Sequence, residues 1–237
     1  MEANWAESKH PREDDGKFAP KGGGAGGSSS GPTPSPAGPS GDSGQTRKTY
    51  DAKKWAKSLS RSQRFSVQQY MADKKTSSAL NDALRHGTPL TKEQELISKD
   101  IHAAIASAGK HDPPLRVYRG ARLPRAVLNS VLQEAGSGRG TRVTLGGIQS
   151  TSINPNVAAT WAGVDSDAMD PGTSGVIYDI TTDEGAPVHE IAGDVGRVER
   201  EVLLAHGRSY DVIGVRSTPY MGSNIPTLVL RKVPDNG

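Results

Sequence analysis

The chain has 237 residues, 33% of them hydrophobic and 23% charged, with a formal net charge of +3 and no cysteine. Without cysteine, neither a disulfide framework nor a thiolate metal site supports the fold, which fits a reducing cytoplasm, and no apolar run approaches the ~18 residues of a membrane span. Interspersed charges of so small a net value provide no specific nucleic-acid surface, and the N-terminus lacks the apolar core of a secretory signal.

The first 46 residues read as non-globular. Residues 1–21 are charged, with isolated Trp5 and Phe18 and no periodicity. From Gly22 to Gly44 every residue is Gly, Ala, Ser, Pro or Thr except Asp42, a composition that cannot bury enough surface to offset the entropy of ordering it. A disordered head and linker over 1–46 and one folded domain over 47–237 follow. That domain is long enough for a substantial core.

The folded part opens with helices. Trp55, Leu59, Phe65, Val67, Tyr70 and Met71 form an imperfect helical stripe, with Ser60 or Ser62 placed to cap a second helix. TSSALNDALRHG reads as a third, stopped at His86-Gly87. Thr91 to Gln94 forms a capping box for a fourth, which carries Leu96, Ile97, Ile101, Ala104 and Ile105 and ends before Gly109 and Pro113-Pro114. Strands then take over: LRVYRGA, TRVTLGGIQSTS, SGVIYDITT, EREVLLA, YDVIGVRS and PTLVLRK all alternate. Two short helices interrupt them, one from Pro124 and one from Asn154-Pro155 through Trp161. Helices first and antiparallel-looking strands afterwards predict an α+β domain. No Gly-x-Gly-x-x-Gly turn follows any of these strands, and no Gly-Lys-Ser/Thr loop is present.

Three strands carry polar residues where a core strand would not. Arg119 lies in VYRG, directly before Gly120, where a glycine would let a ligand approach the backbone. Its guanidinium suits a phosphate; a structural ion pair is the alternative. Ser150, Thr151 and Ser152 supply small hydroxyls able to hold a carboxylate or a ribose, or simply end a strand. Glu199 and Glu201, two apart at the head of EREVLLA, would share one strand face, where they repel unless a cation sits between them. The alternative for this pair is an exposed edge with charged gatekeepers.

Arg, then Ser-Thr-Ser, then Glu-x-Glu, each on its own strand, resembles the arginine–serine–glutamate class of mono-ADP-ribosyltransferases over most of residues 55 to 233. The helical lead-in is similar too, with Tyr70 in one helix and Asn81, Leu84 and Arg85 in the next. The resemblance implies N-terminal helices followed by two packed, mainly antiparallel sheets around an NAD cleft. It implies NAD as donor substrate, with no metal, split between nicotinamide and ribose through an oxocarbenium-like cation. Glu201 would hold the ribose and stabilise that cation, Ser150 would orient Glu201, and Arg119 would clamp the donor's phosphates. Gly120, Thr151 and Ser152 would complete the donor site, with Trp161 either stacking there or serving the core.

Glu199 points to an arginine acceptor, since family members with Glu at this position generally modify arginine. A guanidinium lodged between Glu199 and Glu201 would relieve their repulsion. Arg122 and Asn129 are further candidates, and EIAGDVGRV, with Gly193 and Gly196 but no aromatic, would recognise the target. The expected partner is a host protein, with no membrane and no specific nucleic acid. The head KHPREDDGKFAPKGG is similar to segments of phage structural and head-associated proteins. It suggests virion attachment and action in the bacterial host cytoplasm; a secreted bacterial effector is the rival context. A NAD glycohydrolase, transfer to nucleic acid and an inactive binding module remain open as alternatives.

Overall fold

Four helices precede the first strand in the computed structural model, which describes residues 52–137, 140–163, 172–191 and 199–234. They are α1 (Ala52–Ser58), α2 (Arg61–Ala72), α3 (Lys74–His86) and α4 (Lys92–Ser107). Their ends follow local chemistry. Ser60 with Gln63 closes a capping box on α2, and Thr91 with Gln94 closes another on α4. Gly87 ends α3 in the left-handed conformation, φ 63°. The apolar stripes of the four helices meet in one cluster containing Trp55, Val67, Leu80, Ile101 and Ile105. That cluster continues into Ala186 and Leu203 of the sheet and also takes in Ile148. The Trp55 indole is satisfied inside it, donating to the Ala104 carbonyl at 3.1 Å.

The strands are β1 (Leu115–Pro124), β2 (Thr141–Leu145), β3 (Gln149–Ser152), β4 (Thr173–Thr182), β5 (Ala186–Pro187), β6 (Glu201–Leu204), β7 (Arg208–Tyr220) and β8 (Ser223–Lys232). Helix α5 (Arg125–Gly136) follows β1 and α6 (Pro155–Gly163) follows β3. The α+β class is therefore as expected, but the two packed sheets are joined. One ladder runs β2-β7-β8-β4-β1-β3-β6-β5, antiparallel apart from the parallel pair β4–β8. The link between its halves is a single register pair, Tyr118 opposite Ser152.

Residues 141–152, which alternate like one strand, form two strands that lie apart. Gly147 takes φ +76°, and the turn sends β2 to the β7 edge while β3 pairs with β6. Each face of the sheet has its own cover. Val176, Tyr178 and Ile180 face the cluster under α5, whereas Ile177 faces Ala158, Ala159 and Ala162 of α6 on the other side.

Helix α6 lies so close to the sheet that two strand positions must be glycine. A Cβ on Gly120 would overlap the Ala158 carbonyl oxygen and lie 2.6 Å from Ala162 N. One on Gly175 would overlap the Ala162 carbonyl oxygen. The glycine after Arg119 is thus required by helix packing, a demand that the sequence did not announce. On the same sheet face as Tyr118, the nearly fully buried Asp179 is held by Arg116 at 2.8 Å through both oxygens and by Arg216 at 2.5 Å.

Candidate active site

The β3–β6 register builds the site. Ser152 stands opposite Glu201 and Ser150 opposite Leu203. Alternation then puts Ser150, Ser152, Glu201 and Leu203 on one face. Because Leu203 belongs to the helical cluster, that face looks toward the helices. The Ser150 hydroxyl donates to the Glu201 carboxylate diagonally across the ladder. Thr151 falls on the opposite face, and its hydroxyl donates to the Val202 carbonyl at 2.7 Å. The Ser152 hydroxyl is committed as well, donating to the Glu199 carbonyl and accepting from Asn154 N at 2.9 Å. Of the three hydroxyls predicted to serve the donor, only that of Ser150 is bonded to a carboxylate.

Glu199 does not share a strand with Glu201, contrary to the alternation argument. Strand β6 begins at Glu201, and Arg200 turns the chain with φ 49° in the left-handed region. The Ser152 hydroxyl pins this turn through the Glu199 carbonyl. Both acids still serve one site, because Glu199 lines the cleft and its charge acts on Glu201.

Glu201 is only 4% exposed and is absent from the open wall of the cleft. Burial pushes its carboxyl up to about 7, and the Glu199 charge pushes the same way. The Ser150 hydrogen bond and the Arg119 charge pull it back. Strongly shifted carboxyls cluster at functional sites, and this one has a second acid beside it.

The cleft holds about 250 Å³ and is walled by Tyr118, Arg119, Ser150, Trp161 and Glu199 among others. Arg119 reaches across β3 and donates to the Ser150 carbonyl at 2.9 Å. Gly120, Thr151 and Ser152 also border the cleft. Trp161 is 38% exposed, so the aromatic on this short helix stands at the cleft rather than in the core. Arg122 instead bonds Thr173 and the Ala162 carbonyl, and Asn129 is an exposed residue of α5. Tyr118 was not singled out from the sequence, although its place directly before Arg119 was a signal. The Arg116 guanidinium lies 5.6 Å from the centre of its ring. Gly193 and Gly196 of the expected target-recognition turn, like the whole head and linker, lie outside the described residues.

A family profile described as ADP-ribosyltransferase exoenzyme matches residues 47–230. The chain belongs to this family. It is an NAD-dependent ADP-ribosyltransferase, with NAD as donor substrate. The fold is that of solved toxin structures. Plx2a, an ADP-ribosyltransferase toxin from Paenibacillus larvae, is 17% identical with a TM-score of 0.59, over 77% of this chain and 91% of that one. Exoenzyme S from Pseudomonas aeruginosa, bound to carba-NAD and human 14-3-3 protein beta, is 23% identical with a TM-score of 0.54, over 78% and 83%. Vis from Vibrio splendidus, in complex with agmatine, is 18% identical with a TM-score of 0.56, over 78% and 83%. No curated protein matches the chain in sequence. Among the described residues no helix is long and apolar enough to cross a membrane, and no cluster of three metal-ligating side chains occurs.

Proposed function

We propose that this transferase moves ADP-ribose from NAD to an arginine side chain of a protein, with Glu201, Ser150 and Glu199 as its catalytic residues. The observation that carries this reading is the pairing of a buried carboxylate, Glu201, held by Ser150, with a second acid, Glu199, on the cleft wall. The bond between the nicotinamide nitrogen and the ribose anomeric carbon breaks, and nicotinamide leaves with the bonding electrons. Ionised Glu201 offsets the positive charge that develops on the ribose. A guanidine nitrogen of the acceptor then bonds to the anomeric carbon, and its proton passes to Glu199. Arginine is fully protonated at physiological pH and needs such a carboxylate to become a nucleophile. Agmatine, which is bound in the similar structure of Vis, carries the same guanidinium group.

Arg119 is assigned to the phosphates of the donor and Trp161 to a stacking surface beside it. Residues 1–46 are read as a linker and attachment segment, with a phage virion as its anchor and a host protein as the transferase's target. Labelled NAD incubated with purified protein and a bacterial host lysate tests the activity, beside Glu201→Ala and Glu199→Gln. Label on proteins with wild type alone, released by hydroxylamine, is the expected result. Glu199→Gln should keep releasing nicotinamide while losing arginine modification. Unchanged arginine modification in that variant would sink the role given to Glu199.

A further inference from the structure

Ile148 immediately precedes β3, and side chains from two helices hold its backbone. Its N–H donates to Asn81 Oδ1 at 2.8 Å, Asn81 Nδ2 donates to Tyr70 Oη at 2.8 Å, and Tyr70 Oη donates to the Ile148 carbonyl at 3.2 Å. The three bonds close a ring through α2, α3 and the start of β3. Both polar groups of Ile148 are spent in it, and Tyr70 and Ile148 are buried, so a broken bond would leave an unsatisfied group away from water.

The turn in front of Ile148 has little room to move. A Cβ on Gly147 would lie 2.9 Å from Asn81 Oδ1, and one on Gly146 would lie 2.8 Å from Arg85 Cγ. From the sheet side, Gln149 Nε2 donates to the carbonyls of Gly146 and Gly147 at 2.5 and 2.8 Å. β3 itself is only four residues long and meets β1 through one register pair, so its own ladder fixes its position along the sheet weakly on that side. Two residues beyond Ile148 lies Ser150, whose hydroxyl must meet Glu201.

We propose that Tyr70 and Asn81 are positioning residues of the transferase: by clamping Ile148 they fix where β3 starts and so keep the Ser150 hydroxyl on the Glu201 carboxylate. Neither need touch NAD. The inference rests on Ser150 and Glu201 being the catalytic pair, and its test separates the two ideas. Displacements near 1 Å in such a pair carry large rate effects. The Ser150 bond also holds the Glu201 carboxyl down, so a displaced Ser150 lets it titrate at higher pH.

Tyr70→Phe keeps the buried ring and removes only the hydroxyl; Asn81→Ala removes the second link. Nicotinamide release from NAD is followed from pH 5.5 to 9 for these variants, wild type, Ser150→Ala and the core control Ile105→Val. Tyr70→Phe should lower kcat roughly tenfold with NAD KM within about twofold, and Asn81→Ala more. The acid limb should move to higher pH, toward that of Ser150→Ala. Ile105→Val should only scale the profile. An acid limb of Tyr70→Phe and Asn81→Ala that stays on wild type while Ser150→Ala moves overturns the clamp. If Ser150→Ala does not move the limb, the reading of the catalytic pair fails first. The same titration can be read without turnover, as the pH at which the thermal-stability gap between each background and its own Glu201→Gln derivative stops growing, and that pH must shift in the same direction.

Discussion

Replacing Glu201 by Gln should destroy transfer and stabilise the protein at the same time. The carboxyl is raised from its ordinary 4.5 to about 7, chiefly by burial. Between those two values the unfolded chain has released the proton and the folded one still holds it. Stability of wild type is therefore fully present below pH 4.5 and falls as pH rises to about 7. The interval, at about 1.4 kcal/mol per pH unit, amounts to roughly 3 kcal/mol at pH 8. Glutamine keeps the shape and can accept from the Ser150 hydroxyl without ever ionising. For a domain of this size the difference corresponds to roughly 6 to 12 °C in Tm. Thermal unfolding of wild type and Glu201→Gln, without NAD, at half-unit steps from pH 4.5 to 8.5 measures it. The two curves should nearly coincide at the acid end, separate as pH rises toward 7 and run parallel above it. A separation of the same size at every pH, or a Gln variant no more stable than wild type at pH 8, would refute burial as the cause of the raised carboxyl.

Further outcomes follow from the packing. Gly120→Ala forces a methyl onto the Ala158 carbonyl of α6 and should cost about 3 kcal/mol or more, read as a lowered urea midpoint. Gly136→Ala, where nothing lies within 4 Å, should change stability by less than about 1 kcal/mol in either direction. Burial alone would raise the Asp179 carboxyl, but the Arg116 hydrogen bond and charge, with Arg216, hold it below its ordinary range. That stability is present above the unfolded value of 3.8 and lost as pH falls through the lower folded one. Asp179→Asn should therefore cost about 3 kcal/mol near neutrality, with the gap to wild type narrowing below about pH 4 in thermal melts. Trp161→Ala should raise the KM for NAD about fivefold, as expected for a stacking contact of about 1 kcal/mol, with little change in Tm because the ring is partly exposed.

The ends of elements were legible because they are decided within four or five residues. Ser60 with Gln63, Thr91 with Gln94, Gly87 after α3 and Asn154-Pro155 before α6 each satisfy or terminate local backbone groups without help from distant chain. The polar triple was legible for a similar reason, since Arg119, Ser150 and Glu201 break the apolar habit of their strands whatever the partner strands are. Residues 141–152 were misleading because alternation reports exposure and says nothing about which neighbour a strand pairs with. Only the turn at Gly147, locked by Asn81 and Tyr70, shows that β2 and β3 part company.

From its own sequence, then, this chain settles its class, its helix ends and the polar residues that interrupt its apolar strands, all of which depend on short-range backbone satisfaction and side-chain chemistry. Tertiary structure decides the rest. It joins the two sheet halves through Tyr118 and Ser152, turns Thr151 away from Glu201, and takes Glu199 off the strand while keeping it at the cleft. It also makes Gly120 a seat for α6. Each of these is fixed by atoms tens of residues away in sequence, where register, helix approach and burial are set by cross-strand and interlayer contacts that no local pattern encodes.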